Sequence, residues 1–272
     1  TKISIGIQSF QDKFLKVLGR DKVDYIKMFS ALKEVSFETV SMDFIFALPF
    51  QNLEDIKADI EMAFSNGANH IAIYPFIDFS FTDNTIPLMK KRDKHKLLDG
   101  ITAYCQRNGY KRDSIWTFSN DKHAKYSSMT RDNFLGFGCS ATTLLKDQFK
   151  INTFSLAEYE KRINQNNLPT SLTIHFTRRQ RMVYYLFWTA YSTRISMTDF
   201  QGFFCEPLDK NYGFEFWIAK KIGLMTKEDN VYKMTTKGAF YYHYYENFYT
   251  LSYIDKMWSV MGKDAFPKGL KF

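Results

Sequence analysis

The sequence has few cysteines and no close pair among them. Cys105, Cys139 and Cys205 are separated by 34 and 66 residues, so the short spacings that hold zinc or an iron–sulfur cluster are missing. Three free thiols of a reducing cytosol are the expectation. No long apolar run occurs either: nowhere do about 18 uncharged apolar residues follow one another, as a membrane-spanning helix requires. The N-terminus lacks the charged, apolar and small-residue succession of a signal peptide. These absences predict a soluble, cytoplasmic protein without a membrane partner. His70, His95, His123, His175 and His243 have no His-x-x-x-His or carboxylate-linked spacing, so no metal site is expected among them. There is no internal repeat and no low-complexity tract.

What is present bounds the answer further. The chain has 272 residues, 45% of them hydrophobic, enough for one large domain or two smaller ones. A net charge of +8 suggests an anionic partner, whether nucleic acid, a membrane surface or an acidic small molecule. The lysines are scattered, and only Lys90-Lys91-Arg92 and Thr177-Arg178-Arg179-Gln180-Arg181 form local basic runs. Aromatic residues make up 18% and concentrate after residue 180.

The first part of the chain alternates strand and helix patterns. ISIGIQ reads as a strand and is followed by a helix to Gly19. A second helix over Asp24–Glu34 precedes the strand SMDFIFALP; a helix near Leu53–Phe64 leads through Asn66-Gly67 to the strand HIAIYPF. Such alternation predicts a parallel sheet or barrel of βα units. Lys90–Asn108 reads as another helix, SIWTFS as a short strand, and NFLGFGCSATTLL as a glycine-spaced turn leading into the end of this layer. An Asn/Pro-rich break after KINTFSLAEYEKRI predicts a domain boundary near residues 165–175.

Beyond the break the pattern turns helical. Helices are expected over Arg178–Thr193, after a cap at Thr198-Asp199, and over Gly213–Ile222. GLMTKEDNVYKMTTKGAF then reads as a two-stranded wing, so that three helices and a hairpin predict a winged-helix arrangement. An aromatic helix over Ala239–Val260 closes the chain, with His243 among four tyrosines, and Trp188, Trp217 and Trp258 are expected as core anchors.

In parallel βα architectures ligands gather at the carboxyl ends of the strands. The first strand ends at Gln8, Arg20 closes the unit that follows, and Asp43 interrupts an apolar strand. A carboxylate there needs hydrogen bonds or a cation to remain charged, and Arg20 is a candidate cation. Spacing equally permits a solvated Asp43, a helix-capping Gln8 and an Arg20 that merely follows a glycine cap.

Four successive blocks carry more information: ISIGIQSFQDKFLKVLGR, SMDFIFALPFQNLEDIKADIEMA, HIAIYPFI and DNFLGFGCSA. In this order, over about 140 residues, they resemble the radical S-adenosylmethionine enzymes of the oxygen-independent coproporphyrinogen III oxidase (HemN-like) family. RRQRMVYYLFW and GAFYYHYYENFYTLSYIDKMW are similar to the family's C-terminal domain. The resemblance implies an α/β fold: the C-terminal half of a partial (β/α)6 radical-SAM barrel over 1–170, followed by a mostly helical, winged-helix-like domain over 171–272. It implies S-adenosyl-L-methionine and a [4Fe-4S] cluster as cofactors, with Gln8, Arg20 and Asp43 at the S-adenosylmethionine-contacting positions, and Ile77 and Thr142 lining the same cofactor pockets. It further implies a 5'-deoxyadenosyl radical acting on a tetrapyrrole and a reductant such as flavodoxin or ferredoxin, with no nucleic-acid partner.

The departures from the family are specific. Neither the CxxxCxxC cluster motif nor the glycine-rich motif after the second strand is in the sequence, and the chain starts without methionine on what resembles the fourth barrel strand. The expectation is a portion of a radical oxidoreductase that is inactive by itself. Pro49 is followed by Phe50 where the family commonly has glycine, and YSSMTRDNFLGFG replaces the His-Asn-x-x-Tyr-Trp element of the heme-chaperone branch. The second departure points away from chaperones, leaving porphyrinogen oxidation, heme-ring opening with methyl transfer or other S-adenosylmethionine chemistry, with a non-catalytic heme-binding relative as a separate rival. A winged-helix module for nucleic acid is the rival from another class, although GFEFWIAKKIG offers only Lys220 and Lys221 for groove contacts.

Overall fold

A computed structural model describes residues 2–21, 23–80, 87–120 and 132–268, apart from the side chains of 244–247. His123, the Tyr244 and Tyr245 side chains and the first part of YSSMTRDNFLGFG therefore lie outside the described residues. The chain divides into two compact units, residues 1–78 with 84–127, and residues 79–83 with 128–272. The division into 1–170 and 171–272 is thus a proposal drawn from the family's pattern, and position 170 falls inside the second unit.

In the first unit, β1 (Lys2–Gln8) is followed by α1 (Asp12–Val17) and α2 (Tyr25–Glu34). Then come β2 (Thr39–Phe46), α3 (Leu53–Ser65), β3 (His70–Pro75), α4 (Lys91–Arg107), β4 (Lys111–Arg112) and β5 (Thr117–Ser119). They form a five-stranded sheet in the order β1-β2-β3-β5-β4. β1, β2 and β3 are parallel, as the alternating pattern predicts. β5, the SIWTFS strand, runs antiparallel to β3 and pairs with β4.

One face of this sheet carries Met42, Phe44, Phe46, Ile71 and Ile73, all buried. α3 and α4 bury Ile56, Ile60, Leu98 and Ile101, and their apolar positions recur at helical spacing. Asn52 caps α3 in a reciprocal box with Asp55, which explains the sharp start of that helix after the LPFQ turn. Within the turn Gln51 is buried; its Oε1 accepts from Leu48 N at 3.2 Å and its Nε2 donates to Ile45 O at 3.3 Å. Phe50 sits at φ +61 and is 96% exposed. The turn that glycine would make is therefore kept, held by Gln51 against the preference of a phenylalanine.

The second unit holds two antiparallel sheets. β6 (Thr142–Leu145), β7 (Gln148–Asn152) and β8 (Thr170–His175) form the first, with α5 (Leu156–Asn164) between β7 and β8. NFLGFGCSATTLL accordingly runs into an antiparallel strand instead of a barrel layer, and β8 was hidden behind the Asn/Pro break. The second sheet has the order β10-β11-β9 and joins β9 (Arg194–Ser196), β10 (Met225–Glu228) and β11 (Val231–Met234). With α6 (Arg178–Tyr191), α7 (Met197–Phe204) and α8 (Leu208–Lys221) it makes the expected winged-helix arrangement. Its core is Met182, Tyr185, Ile195, Phe200, Phe204, Leu208, Tyr212, Phe216, Met225 and Tyr232.

Local details differ from expectation for identifiable reasons. α7 is capped by Ser196, whose hydroxyl accepts from Asp199 N, so it begins ahead of Thr198. α8 begins five residues before Gly213 and is kinked at Tyr212 (φ −137). The terminal aromatic helix is α9 (Thr236–Tyr249), a π-helical turn over Thr250–Ile254, and α10 (Asp255–Lys263). Trp217 is 54% exposed on α8, and Trp188 and Trp258 line a cavity, so none of the three is a core anchor.

Replacing Phe50 by glycine removes the left-handed strain at little loss of buried surface. A net stabilisation of about 0.5–1 kcal/mol is expected, since the relief exceeds the added chain entropy of glycine. A denaturant midpoint that does not rise contradicts this.

Candidate functional site

The register of β1, β2 and β3 builds a polar strip on the other sheet face. In parallel strands paired residues project to the same side. Ser4 pairs with Ser41, which pairs with His70; Gly6 pairs with Asp43, which pairs with Ala72. Ser4, Ser41, Asp43 and His70 therefore share one face. The Ser4 hydroxyl lies 3.0–3.1 Å from both Asp43 carboxylate oxygens, and the Ser41 hydroxyl donates to Oδ1 at 3.4 Å. Ser41 Oγ also lies 2.8 Å from His70 Nδ1.

Asp43 is half-buried, and among the described residues no Lys or Arg forms an ion pair with it. Burial raises its pKa, opposed by the hydrogen bonds from Ser4 and Ser41. The expectation that Arg20 supplies the counter-charge is not met. Arg20 Nη1 donates instead to Gly6 O at 3.2 Å.

The route of Arg20 to that carbonyl follows from the local sequence. α1 ends at Val17 with Leu18 as its C-cap, Gly19 takes φ +63, and Arg20 N donates back to Leu15 O at 2.9 Å. This is a glycine-terminated helix end that turns the chain back towards β1. Gln8 has φ +67 and breaks the β1 register between Gly6 and Gln8. Its side chain folds back over Gly6, where a Cβ would lie 2.9 Å from the Gln8 amide nitrogen. The absence of a side chain at Gly6 is therefore what lets the amide lie beside the Asp43 row. Behind it the buried Asp59 of α3 fixes the next turn, accepting from Ser9 Oγ at 2.7 Å and Phe10 N at 3.0 Å.

Of the residues expected to contact S-adenosylmethionine, Gln8, Arg20 and Asp43 thus converge around Gly6. Ile77 is half-buried just past β3, at the same carboxyl edge of the sheet, where Phe76 N donates to Phe46 O at 2.7 Å. Thr142 starts β6 in the second unit and lines an aromatic cavity there. Ser4, Ser41 and His70 escaped the sequence reading, although Ser41 stands two residues before Asp43 and so shares its face.

The arrangement offers an unopposed carboxylate, a guanidinium with donors left over and an amide that both donates and accepts. It suits a ligand bearing an amine, hydroxyls and a carboxylate, as S-adenosylmethionine does. A [4Fe-4S] cluster does not fit in the same way. Among the described residues no group of three His, Cys, Asp or Glu side chains is gathered for a metal. Cys105 is buried, with its thiol pushed up to about 12 by burial, Cys139 Sγ donates to Thr153 O, and Cys205 is exposed.

Comparison with solved structures gives the fold. The fold is that of coproporphyrinogen III oxidase (HemN) from Escherichia coli, described as a radical SAM enzyme: TM-score 0.70 at 16% identity, over 90% of this chain and 62% of that one. No closed barrel is formed among the described residues.

Two relatives narrow it further. The chain is 27% identical to the heme chaperone HemW of Lactococcus lactis over 188 residues, 61% of this chain and 49% of the relative. It is 25% identical to the oxygen-independent coproporphyrinogen III oxidase of Cereibacter sphaeroides over 198 residues, 62% of this chain and 42% of the relative. Together these likenesses support a HemN-like radical S-adenosylmethionine family for the chain. No family model matches it. The chain spans about half the length of the curated relatives it matches. Relatives of both kinds match, so the expectation against the chaperone branch is not supported.

His70 gives the site a pH signature. It is 1% exposed, and burial first, then the Lys2 charge, lowers its pKa to about 4 from 6.5. Between these values the unfolded chain binds more protons than the folded one, so stability falls as pH falls, by up to about 3 kcal/mol. Asp43 and Asp59, both raised by burial, contribute with the opposite sign. Subtracting the His70→Gln stability profile from the parent's over pH 4–7 should therefore isolate the histidine slope; a zero difference contradicts a buried neutral His70.

Proposed function

We propose that the chain is the S-adenosylmethionine-facing part of a radical S-adenosylmethionine oxidoreductase acting on a tetrapyrrole. The observation that supports this most is the half-buried Asp43 carboxylate, which has two seryl donors and, among the described residues, no cation. In this reading Asp43 accepts from the ligand's amine or ribose hydroxyls, and a positive or hydrogen-bonding partner there relieves the cost of its burial. Arg20, tethered through one nitrogen to Gly6 O, keeps further donors for a carboxylate. The Gln8 amide completes the polar ring. Bound S-adenosylmethionine, with a cluster to reduce it, supplies the hydrogen-abstracting chemistry of the family.

The substrate class rests on the relatives, whose names concern coproporphyrinogen III oxidation and heme. Cluster ligands from a further segment, and a flavodoxin or ferredoxin as reductant, belong to the same proposal. Ile77, just past β3 at the carboxyl edge of the same sheet, is proposed as a further lining position of the cofactor site, whereas Thr142 lines the aromatic cavity of the second unit. Among the described residues no helix is long and apolar enough to cross a membrane. A second reading, heme binding without radical chemistry, is favoured by the relatives named as heme chaperones.

Calorimetric titration of the chain with S-adenosylmethionine tests the site. Asp43→Ala and Arg20→Ala are each expected to weaken binding by about tenfold or more, as the loss of a charged hydrogen-bond partner does; Lys33→Ala leaves it unchanged. Equal affinities in all variants overturn the assignment. In the complete gene product with a reconstituted cluster, 5'-deoxyadenosine formation supports the oxidoreductase; stoichiometric heme binding without it supports the second reading.

A further inference from the structure

The second unit contains a cavity of about 670 Å³ that the proposed cofactor site does not use. One wall is β7, β8 and α6, presenting Phe149, Phe176, Tyr184 and Trp188. These rings form a continuous chain: Phe149–Tyr184 at 6.0 Å, Phe176–Tyr184 at 5.5 Å and Tyr184–Trp188 at 6.1 Å between centroids. Tyr249, Tyr253 and Trp258 come from the terminal helical segment, which packs on the same sheet through Ile151, Met257 and Met261.

A space this large is far beyond the voids that close packing leaves, and it falls in the range of small-molecule pockets. The cavity is partly open to solvent, and its mostly aromatic and aliphatic lining offers water few polar partners, so an apolar ligand gains by displacing that water. Among the described lining residues none is Asp, Glu, Lys, Arg or His. The polar groups are the hydroxyls of Ser140, Thr142 and the tyrosines, and the indole N–H groups of Trp188 and Trp258. Burial pushes the Tyr184 hydroxyl up to about 12, so it stays neutral at ordinary pH.

Two local features aim this space at a ligand. The π-helical turn Thr250–Ile254 widens the helix where it borders the cavity, a distortion that is rare and concentrates at functional sites. Tyr253 and Ile254, which line the cavity, belong to that turn. Trp188 Nε1–H is sheltered from solvent and makes no hydrogen bond of ordinary geometry, although it lies near enough to the Tyr184 hydroxyl to favour its ionised form. A sheltered donor without a well-formed bond calls for an acceptor.

We propose that this cavity is a binding site for a planar, uncharged aromatic molecule, stacked among the Tyr184, Trp188, Tyr249 and Tyr253 rings, with a hydrogen-bond acceptor facing Trp188 Nε1. Ring walls favour a flat π-system by offset and edge contacts. The lack of charged lining groups rejects a ligand that would bury a charge. The proposal does not rest on the S-adenosylmethionine reading of the first unit, and either can fail alone.

The test uses the full chain and two probes that share their rings, neutral N-phenyl-1-naphthylamine and its sulfonated analogue 8-anilino-1-naphthalenesulfonate. The neutral probe is expected to bind saturably at one per chain, with blue-shifted emission, and at least about tenfold more tightly than the sulfonate. Ile174→Trp, which fills the cavity, should abolish binding. Trp217→Phe, on an exposed face of α8, should leave it unchanged. For an acceptor-bearing probe, 2-naphthaldehyde, Trp188→Phe should weaken binding about three- to tenfold, the size of one lost hydrogen bond. Non-saturable binding, equal affinity for the two naphthylamine probes, or full binding by Ile174→Trp overturns the proposal. Should Ile174→Trp fail to fold, unaltered 2-naphthaldehyde affinity in Trp188→Phe overturns it as well.

Discussion

The Asp43 carboxylate, half-buried and held by Ser4 and Ser41 with no cation beside it among the described residues, is the constraint around which the first unit is arranged. A charge in that place is costly, and two seryl hydroxyls only partly offset the cost, which is why burial keeps its pKa raised. The parallel register sets both serines on its face, Gly6 leaves room beside it, and the buried Asp59 fixes the turn that brings Gln8 over Gly6. Remove the register and these groups scatter to opposite faces of the sheet.

The same strip separates two demands that a βα sheet places on its strands. The helix-covered face must be apolar, and Met42, Phe44, Ile71 and Ile73 meet that demand. The other face is free to carry chemistry, and it carries Ser4, Ser41, Asp43 and His70. Arg20 sits at its rim through the short helix α1 and the left-handed Gly19, bound to a backbone carbonyl and not to the acid it was expected to neutralise. An acid that has no cation among the described residues and a guanidinium with spare donors are the two features on which the proposal of a zwitterionic, hydroxylated ligand rests.

How much of this was legible depended on whether the signal was local. The parallel strands and their helices followed from alternating and helical spacing, and the winged helix followed from its polar turn and alternating wing. Asp43 stood out because it interrupts an apolar strand, Gln8 because it ends one and Arg20 because it closes the unit that follows, and only the family resemblance joined the three. Their convergence on Gly6 was not legible, since it depends on a broken register and on a side chain folding back across a glycine. β8 was hidden because TSLTIH follows a break and pairs only with a strand some twenty residues earlier in the chain. The cavity was equally hidden: aromatic residues spaced for a core were read as core, and only the π-helical turn and the tertiary packing leave Trp188 and Trp258 lining open space.

The central claim is that Asp43 awaits a ligand that hydrogen-bonds or pairs with its charge. Carbon-13 NMR of the aspartate carboxyl groups, assigned through Asp43→Asn and followed against pH, measures this directly. The account predicts a titration above the ordinary aspartate range in the free chain and a downward shift when S-adenosylmethionine is added. An Asp43 carboxyl that titrates identically with and without S-adenosylmethionine would contradict it.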